Sequence, residues 1–128
     1  MGFCLLNNVA IAAQYAVSVH GLQRVLVLDW DVHHGNGIQT MFYDSAQVLY
    51  ISLHRYDRGS FFPGSAAAGA DRVGEGPGTG FNVNIPWNTK KCGDLEYYLA
   101  FTNIVMPIAY EFRYGTGIYC AISPRIIA

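Results

Sequence analysis

The stretch "VLVLDWDVHHGNG", residues 25–37, decides the interpretation of the whole sequence. Its first part is an almost continuous apolar run rich in β-branched residues, which is typical of a strand buried on both faces of a parallel sheet. Directly behind this run, two aspartates and two histidines fall within six positions. The stretch therefore predicts a buried parallel strand that carries a polar cluster at its carboxyl end.

The flanking sequence predicts alternating helices and strands. The segments "QVLYISLHR" and "FNVNIPW" read as further strands, and Asn7 or Asn8 can cap a helix that runs to about His20. A short helix is expected at about residues 37–43, and a long one in "GDLEYYLAFTNIVMPIAYEF", with a kink at Pro107. The Gly-, Ala- and Pro-rich interval 56–80 has no periodicity, and long loops of this kind tend to be functional. The order α-β-α-β-loop-β-α predicts an α/β layered fold.

Composition narrows the class of protein. The chain has 128 residues, 52% of them hydrophobic, and a formal net charge of -1, which suits one domain and gives no electrostatic footprint for nucleic acid or a membrane surface. Three widely spaced cysteines, Cys4, Cys92 and Cys120, are expected to be reduced thiols of an intracellular protein. No apolar run reaches the roughly 18 residues of a membrane span, and no signal peptide is expected at the start.

The polar cluster has the residue types of a metal site. Alternation along a strand would bring Asp29, Asp31 and His33 to one side, at the sheet edge where open α/β folds bind ligands. A carboxylate and an imidazole two residues apart can share one divalent ion, with Asp29 one step behind them. His34 points to the other face and is expected to pack. The competing interpretation is a hydrogen-bonded turn that holds no metal.

At this cluster the sequence resembles the zinc-dependent histone deacetylases. The same resemblance covers most of the chain in order, through "GFC", "NNVAIAA", "VLYISLHRYD", "FFPGS", "GPGTGFNVNIPWN" and "MPIAYEF". "DWDVHHGNG" and "SLHRYD" are similar to class II members, and "FFPGS" with "VMPIAYEF" is similar to class IIa. The resemblance implies a partial arginase/deacetylase-type fold, with a mainly parallel sheet and flanking helices, truncated at both ends. It assigns residues 1–112 to the central part of the catalytic domain and leaves residues 113–128 as a tail that does not match.

The resemblance also implies roles for individual residues. Zinc would be bound by the side chains of Asp31 and His33. A structural potassium ion would be bound by Asp29, by the carbonyls of Asp31, His33 and Leu53, and by the hydroxyl of Ser52. A second potassium site, mostly backbone, would lie near Phe42, Ser45, Val48 and Phe81. The walls of the acyl-lysine channel would include Gly2, Phe3 and Phe62.

In the family, zinc polarises an acetamide carbonyl and activates water, and a histidine pair moves the protons. The implied reaction is hydrolysis of acetyl-lysine in histones or other proteins, with transcriptional repression as the outcome. The implied cofactors are Zn²⁺ and K⁺, the implied partners are acetylated lysine side chains and corepressor complexes, and the implied location is the nucleus, the cytoplasm or both. No direct contact with nucleic acid or a membrane is implied.

Two departures from the family pattern qualify this expectation. Met1 stands where the family has an internal methionine, so the histidine pair that precedes "GFC" is expected to be missing. "RYGTGIYCAISPRIIA" stands where the third zinc ligand, an Asp, is expected, so that ligand and a later active-site Tyr or His are expected to be missing too. The chain alone is therefore expected to be inactive.

Two other interpretations stay open at this point, and a third is disfavoured. The chain could act as a non-catalytic truncated isoform or interaction fragment, or belong to an acetylpolyamine deacetylase. An arginase-like manganese enzyme is disfavoured, because Gly35 stands where that family needs an Asp.

Overall fold

The computed structural model describes residues 4–113 and, by backbone only, residues 116–120. The elements in chain order are α1 (Asn8–Ser18), β1 (Val25–Asp29), α2 (Asn36–Phe42), β2 (Val48–Arg55), β3 (Asn82–Trp87), α3 (Asp94–Ala100), α4 (Met106–Phe112) and β4 (Thr116–Cys120). One turn of π-helix, Phe101–Val105, joins α3 to α4. Three short 3₁₀ turns, Asp57–Gly59, Ala66–Ala68 and Gly76–Gly78, lie in the interval from residue 56 to residue 80, which we call the 56–80 loop.

The four strands form one parallel sheet in the order β3-β2-β1-β4. All five residues of β1 are buried, as expected for a strand covered on both faces. The chain continues from β1 to β2 and β3 on one side, whereas β4 adds to the other side. The carboxyl end of β1 therefore lies at the point where the strand order reverses, which is where open α/β sheets bind their ligands.

Two apolar layers cover the sheet. On one face, Val25 and Val27 of β1 pack with the buried side of α1 and α2, including Ala10 and Phe42. On the other face, Leu26 and Leu28 alternate with them and pack against the helical segment 94–112. The predicted α/β fold with a parallel sheet and flanking helices is confirmed.

The helix ends follow from local chemistry. The Asn7 side chain accepts a hydrogen bond from the backbone N–H of Ala10 at 3.0 Å and so caps α1. The helix stops at Ser18, two residues before the predicted end, and Gly21 follows with a φ of +66°. Pro107 has no N–H to donate to the preceding turn, so one helical hydrogen bond is missing there. The chain forms a π turn immediately before Pro107, and the helical path continues beyond it to Phe112. In the part of the chain described, no helix is long and apolar enough to cross a membrane.

Candidate metal centre

The residues after β1 are positioned by side-chain hydrogen bonds to the backbone. The strand ends at Asp29, whose Oδ1 accepts the N–H of Asp31 at 3.1 Å. Asp31 Oδ1 in turn accepts the N–H of His33 at 2.7 Å. Such aspartate-to-backbone bonds fold a chain into consecutive tight turns. Asp31 and His33 thus come together through turns, and not through the strand alternation from which the sequence predicted their convergence.

Asp31 and His33 form a pair suited to a divalent ion. Asp31 Oδ1 lies 3.2 Å from His33 Nδ1, and the two side chains are 17% and 26% exposed. Two ligands of a tetrahedral zinc ion, each bound at about 2.0–2.1 Å, lie about 3.4 Å apart. Among the described residues no group of three or more His, Cys, Asp or Glu side chains could hold a metal. The pair therefore fits two corners of a zinc site, and any other ligand would come from elsewhere.

Asp29 is the buried carboxylate behind this pair. It is 3% exposed, and burial raises its pKa to about 6, with a further upward contribution from the Asp31 charge. The N–H of Asp31 and the hydroxyl of Tyr50, which donates to Asp29 Oδ2 at 3.2 Å, act in the opposite direction. A nearby cation would favour the ionised form of such a group. This environment fits the predicted potassium ligand.

Gly35 allows the turn to lie directly against Tyr50. Its N–H donates to the Tyr50 hydroxyl at 3.1 Å. A Cβ at this position would lie 2.5 Å from that hydroxyl oxygen and 2.7 Å from Asp29 Oδ2, closer than real Cβ atoms approach. The glycine is required by close packing, since its φ of -79° is open to any residue.

Ser52 and His54 extend the polar side of β2. His54 Nε2 lies 2.9 Å from the carbonyl oxygen of Ala68, which can only accept, so this nitrogen carries a proton. Burial, and then the charge of nearby His34, lower the pKa of His54 to about 4, so the ring is neutral near pH 7 and Nδ1 is an acceptor. The Ser52 hydroxyl, 2.8 Å away, therefore donates to His54 Nδ1 and keeps its own lone pairs for another group. Leu53 points into the opposite apolar layer, so it could serve a cation only through its backbone, as predicted.

The residues of the second predicted potassium site lie around the amino-terminal ends of β2 and β3, at the opposite end of the strands from Asp29. Phe42 ends α2, Val48 opens β2, and Ser45 lies in the turn between them, with its N–H donating to the Phe42 carbonyl at 3.0 Å. Phe81 immediately precedes β3, and its carbonyl accepts the N–H of Tyr50 at 2.9 Å. The four residues are close in the fold, and their role as ligands stays a prediction.

Two aromatic rings of the 56–80 loop contact His33. Phe62, the predicted channel wall, meets the imidazole edge-on at 5.6 Å between ring centroids and is 49% exposed. Phe61 stacks on the same imidazole at 5.3 Å with an interplanar angle of 8°. Phe61 was not predicted from the sequence, although the adjacent pair in "FFPG" was a signal for it. Gly2 and Phe3 lie outside the described residues.

Arg55, the last residue of β2, packs its guanidinium group over the Phe61 ring. The guanidinium carbon lies 4.2 Å from the centre of the Phe61 ring, and Nε donates to Asp57 Oδ2 at 2.7 Å. Asp57 and Arg58 have φ values of +47° and +56°, an uncommon conformation for non-glycine residues that often marks a functional loop. The loop thus enters the site region through a strained turn that an ion pair stabilises.

His34 is buried at 4% exposure and contacts Gln39 and His54. Its Nε2 lies 2.8 Å from Gln39 Oε1, and burial lowers its pKa. The expectation that His34 packs in the interior agrees with this position.

The chain is similar in sequence to known proteins. The family model of the histone deacetylase domain matches residues 1–119. Histone deacetylase 6 of Caenorhabditis elegans is 52% identical over 112 residues, 88% of this chain and 12% of that protein. The polyamine deacetylase HDAC10 of Homo sapiens is 54% identical over 111 residues, 87% of this chain and 17% of that protein.

Solved structures agree with the sequence match. The histone deacetylase Clr3, a protein of Schizosaccharomyces pombe, superposes with a TM-score of 0.88 at 46% identity, covering 95% of this chain and 22% of that one. The HDA15 HD domain superposes with a TM-score of 0.90 at 49% identity, covering 94% and 34%. The chain spans only 12% to 19% of the length of the curated relatives.

The family match continues past residue 112, where the resemblance was expected to end, and β4 pairs with β1 in this part of the chain. The assignment of residues 113–128 as a separate tail stays a prediction. The match over residues 1–119, the sequence identities and the superpositions together show that the chain belongs to the histone deacetylase domain family.

Proposed function

We propose that the protein containing this chain hydrolyses the amide of acetyl-lysine with the help of zinc, and that this chain supplies two of the zinc ligands. The observation that carries the proposal is the 3.2 Å separation of Asp31 Oδ1 and His33 Nδ1 at the switch point of a parallel sheet. Family membership supports hydrolysis of an acyl amide, whereas the metal and the substrate are inferences.

The described residues would contribute in distinct ways. Zinc, when bound, polarises a carbonyl and lowers the pKa of water. His33 would bind through Nδ1 in its neutral form, and the Asp31 carboxylate would neutralise part of the metal's charge. Phe61 and Phe62 present apolar ring surface beside His33, which suits the uncharged stem of an acylated lysine and excludes water from it.

A structural potassium ion is proposed on the buried side of the zinc pair. Asp29 is a carboxylate that a cation would keep ionised, and Ser52 offers oxygen lone pairs while its proton goes to His54. Asp31, His33 and Leu53 would contribute further oxygens. Isothermal titration of the chain with KCl, using choline chloride as the ionic-strength control, tests this site. A heat of binding that survives in Asp29→Asn would refute the assignment.

Zinc binding can be tested on the 128-residue chain itself. Competition with a chromophoric chelator should show Zn²⁺ affinity falling at least about tenfold in Asp31→Asn and in His33→Ala, because each change removes one of two ligands. Asp44→Asn and His20→Ala are the matched controls, since they remove the same groups far from the site. Equal affinities in all four variants would contradict the proposal.

Catalysis by the chain alone is not expected. We propose that two zinc ligands without a proton-transferring histidine pair leave the ion weakly held and poorly activated. Purified chain supplied with zinc and an acetyl-lysine peptide should show no turnover above buffer. Robust zinc-dependent turnover would overturn this view, and it would also remove the case for a non-catalytic interaction fragment.

A polyamine substrate is the second candidate, favoured by relatives named polyamine deacetylase at 53% to 54% identity. The complete protein, assayed with an acetyl-lysine peptide and with an acetylated polyamine, should prefer the peptide in kcat/KM. A tenfold preference for the polyamine would decide for the second candidate. Corepressor partners and a nuclear or cytoplasmic location are further proposals, to be tested by affinity purification and by imaging of the complete protein.

A further inference from the structure

The 56–80 loop carries the two rings that contact His33, yet it has almost no hydrophobic anchor of its own. Across this loop, which is fully described, the only buried residues are Ala68, Gly69 and Gly78. None of these has a side chain large enough to bury much apolar area. Burial of apolar side chains therefore contributes little to holding residues 62–80 in place, and polar contacts have to supply the rest.

Buried side chains of the main fold hold the loop by its carbonyl oxygens. Gln39 Nε2 donates to Ala67 at 2.7 Å, and His54 Nε2 donates to Ala68 at 2.9 Å. Two asparagines of β3 complete the set: Asn84 Nδ2 donates to Gly69 at 3.2 Å, and Asn82 Nδ2 donates to Arg72 at 2.6 Å. Side chains from α2, β2 and β3 thus donate hydrogen bonds to four backbone carbonyls of one short segment, residues 67–72.

Gln39 is the centre of this arrangement. It is 6% exposed, and its Oε1 accepts from His34 Nε2 at 2.8 Å, Asn84 Nδ2 at 2.9 Å and Asn82 Nδ2 at 3.1 Å. One amide thus connects the residue next to His33 with the loop that carries the aromatic wall of His33. A change at Gln39 would disturb both sides of this wall together.

The network is a costly way to fill the interior. Within the described residues, His34 Nδ1, Asn82 Oδ1 and Asn84 Oδ1 are buried without a hydrogen-bond partner. Each such atom carries a desolvation penalty that an apolar side chain of similar shape would avoid. Burying these polar groups lowers the stability of the fold, which indicates that they serve to fix the position of the loop.

We propose that Gln39 is a positioning residue of the deacetylase reaction, which fixes the 56–80 loop so that Phe61 and Phe62 stand against His33 as the wall of the acyl-substrate channel. This inference rests on the proposed function for its catalytic consequence, whereas its structural half stands alone. Gln39 acts through the loop and touches no reacting atom.

The structural half is tested by hydrogen exchange on the 128-residue chain. In Gln39→Met, which keeps the size but none of the hydrogen bonds, the amides of Ala68 and Gly69 should exchange at least about tenfold faster relative to the amide of Ile51 in β2. The matched control is Ala13→Gly, which weakens α1 far from the network, and it should leave that ratio unchanged. An unchanged ratio in Gln39→Met, or an equal change in Ala13→Gly, would overturn the inference.

The catalytic half is tested by kinetics of the complete protein. Loosening the channel wall should raise KM for an acetyl-lysine peptide about tenfold in Gln39→Met while kcat changes less than threefold. A merely structural role would lower the active fraction, so that kcat falls and KM stays constant, and this result would refute positioning. Faster loop exchange in a protein without deacetylase activity would refute the proposed function and leave the loop attachment standing.

Discussion

Acidification from pH 7.5 to pH 5.0 should destabilise the fold through His54. The ring is fully buried, and burial together with the neighbouring His34 lowers its pKa from 6.5 to about 4. In the unfolded chain the imidazole regains its ordinary pKa, so the unfolded state takes up the proton first as the pH falls. Stability contributed by neutral His54 is therefore complete above pH 6.5 and is lost progressively down to about pH 4.

The size of this loss follows from the two pKa values. At pH 5.0 the unfolded imidazole is almost fully protonated and the folded one is mostly neutral, so the free energy of unfolding falls by about 2 kcal/mol relative to pH 7.5. Asp29 acts in the opposite direction, because its raised pKa of about 6 makes the folded state take up a proton first in the same range. His34 acts in the same direction as His54, because burial also lowers its pKa. The total pH dependence therefore mixes several groups, and a difference between variants is needed to isolate the contribution of His54.

The assay is urea unfolding followed by circular dichroism at both pH values. The variant His54→Gln replaces the ring with a neutral amide that can still donate to Ala68 and accept from Ser52. It should lose about 2 kcal/mol less than the wild type on acidification. His20→Gln, a change at an exposed histidine, is the matched control and should behave as the wild type.

Titration of His54 in the wild-type chain tests the same argument and does not depend on the folding of a variant. The NMR signal of the His54 ring should show one titration with a midpoint near 4 in the wild-type chain. A midpoint near 6.5, or equal acid sensitivity of the wild type and His54→Gln, would refute the argument that this ring is buried as a neutral donor.

Three substitutions probe the turn and the aromatic wall. Tyr50→Phe leaves the N–H of Gly35 without its acceptor and removes a donor to Asp29. The free energy of unfolding, measured in urea, should fall by about 1–3 kcal/mol. The pKa of Asp29, measured by NMR titration, should rise. Gly35→Ala forces a Cβ against the Tyr50 hydroxyl, so about 2 kcal/mol of stability and part of the zinc affinity should be lost in urea and chelator assays. Arg55→Lys keeps the charge but loses the planar contact with Phe61, so urea unfolding should show a loss of about 0.5–1 kcal/mol.

Each of these changes has a matched control. Tyr110→Phe removes a hydroxyl from an exposed ring. Gly37→Ala places a Cβ 3.2 Å from Asn7 Nδ2, a looser approach than the 2.5 Å between a Cβ at Gly35 and the Tyr50 hydroxyl. Arg58→Lys changes an exposed arginine of the 56–80 loop. All three controls should stay within about 0.5 kcal/mol of the wild type. Losses as large as those of the test variants would contradict the specific contacts on which the predictions depend.

The fold was predictable because its signals are local. A continuous apolar run predicts a strand buried on both faces, and β1 is such a strand, while Asn7 caps α1 as its residue type suggests. The site was predictable only in part. Asp31 and His33 do come together, but through aspartate-capped turns, since the strand ends at Asp29 and alternation no longer applies.

The attachment of the 56–80 loop was not predictable from sequence. Gln39 lies 28 residues from Ala67 and 45 from Asn84, and nothing in the local pattern of a short helix distinguishes a glutamine that joins them from one exposed to solvent. Phe61 was missed for a related reason: which of two adjacent rings stacks on His33 depends on the path of the loop. Contacts of this range follow from the packed structure alone.

The alternation of β2 explains how one strand can serve both the core and the site. Leu49, Ile51 and Leu53 point into the apolar layer under the helical segment 94–112, and the residues between them change from apolar to polar toward the carboxyl end. On that second face Val48 and Tyr50 pack against α1 and α2, whereas Ser52 and His54 are buried polar groups. Because side chains alternate with a period of two, a one-residue slip of β2 would exchange the two faces and bury the polar groups in the apolar layer. The same apolar face that stabilises the sheet therefore fixes the register on which the positions of Ser52 and His54, and through His54 the position of the 56–80 loop, depend.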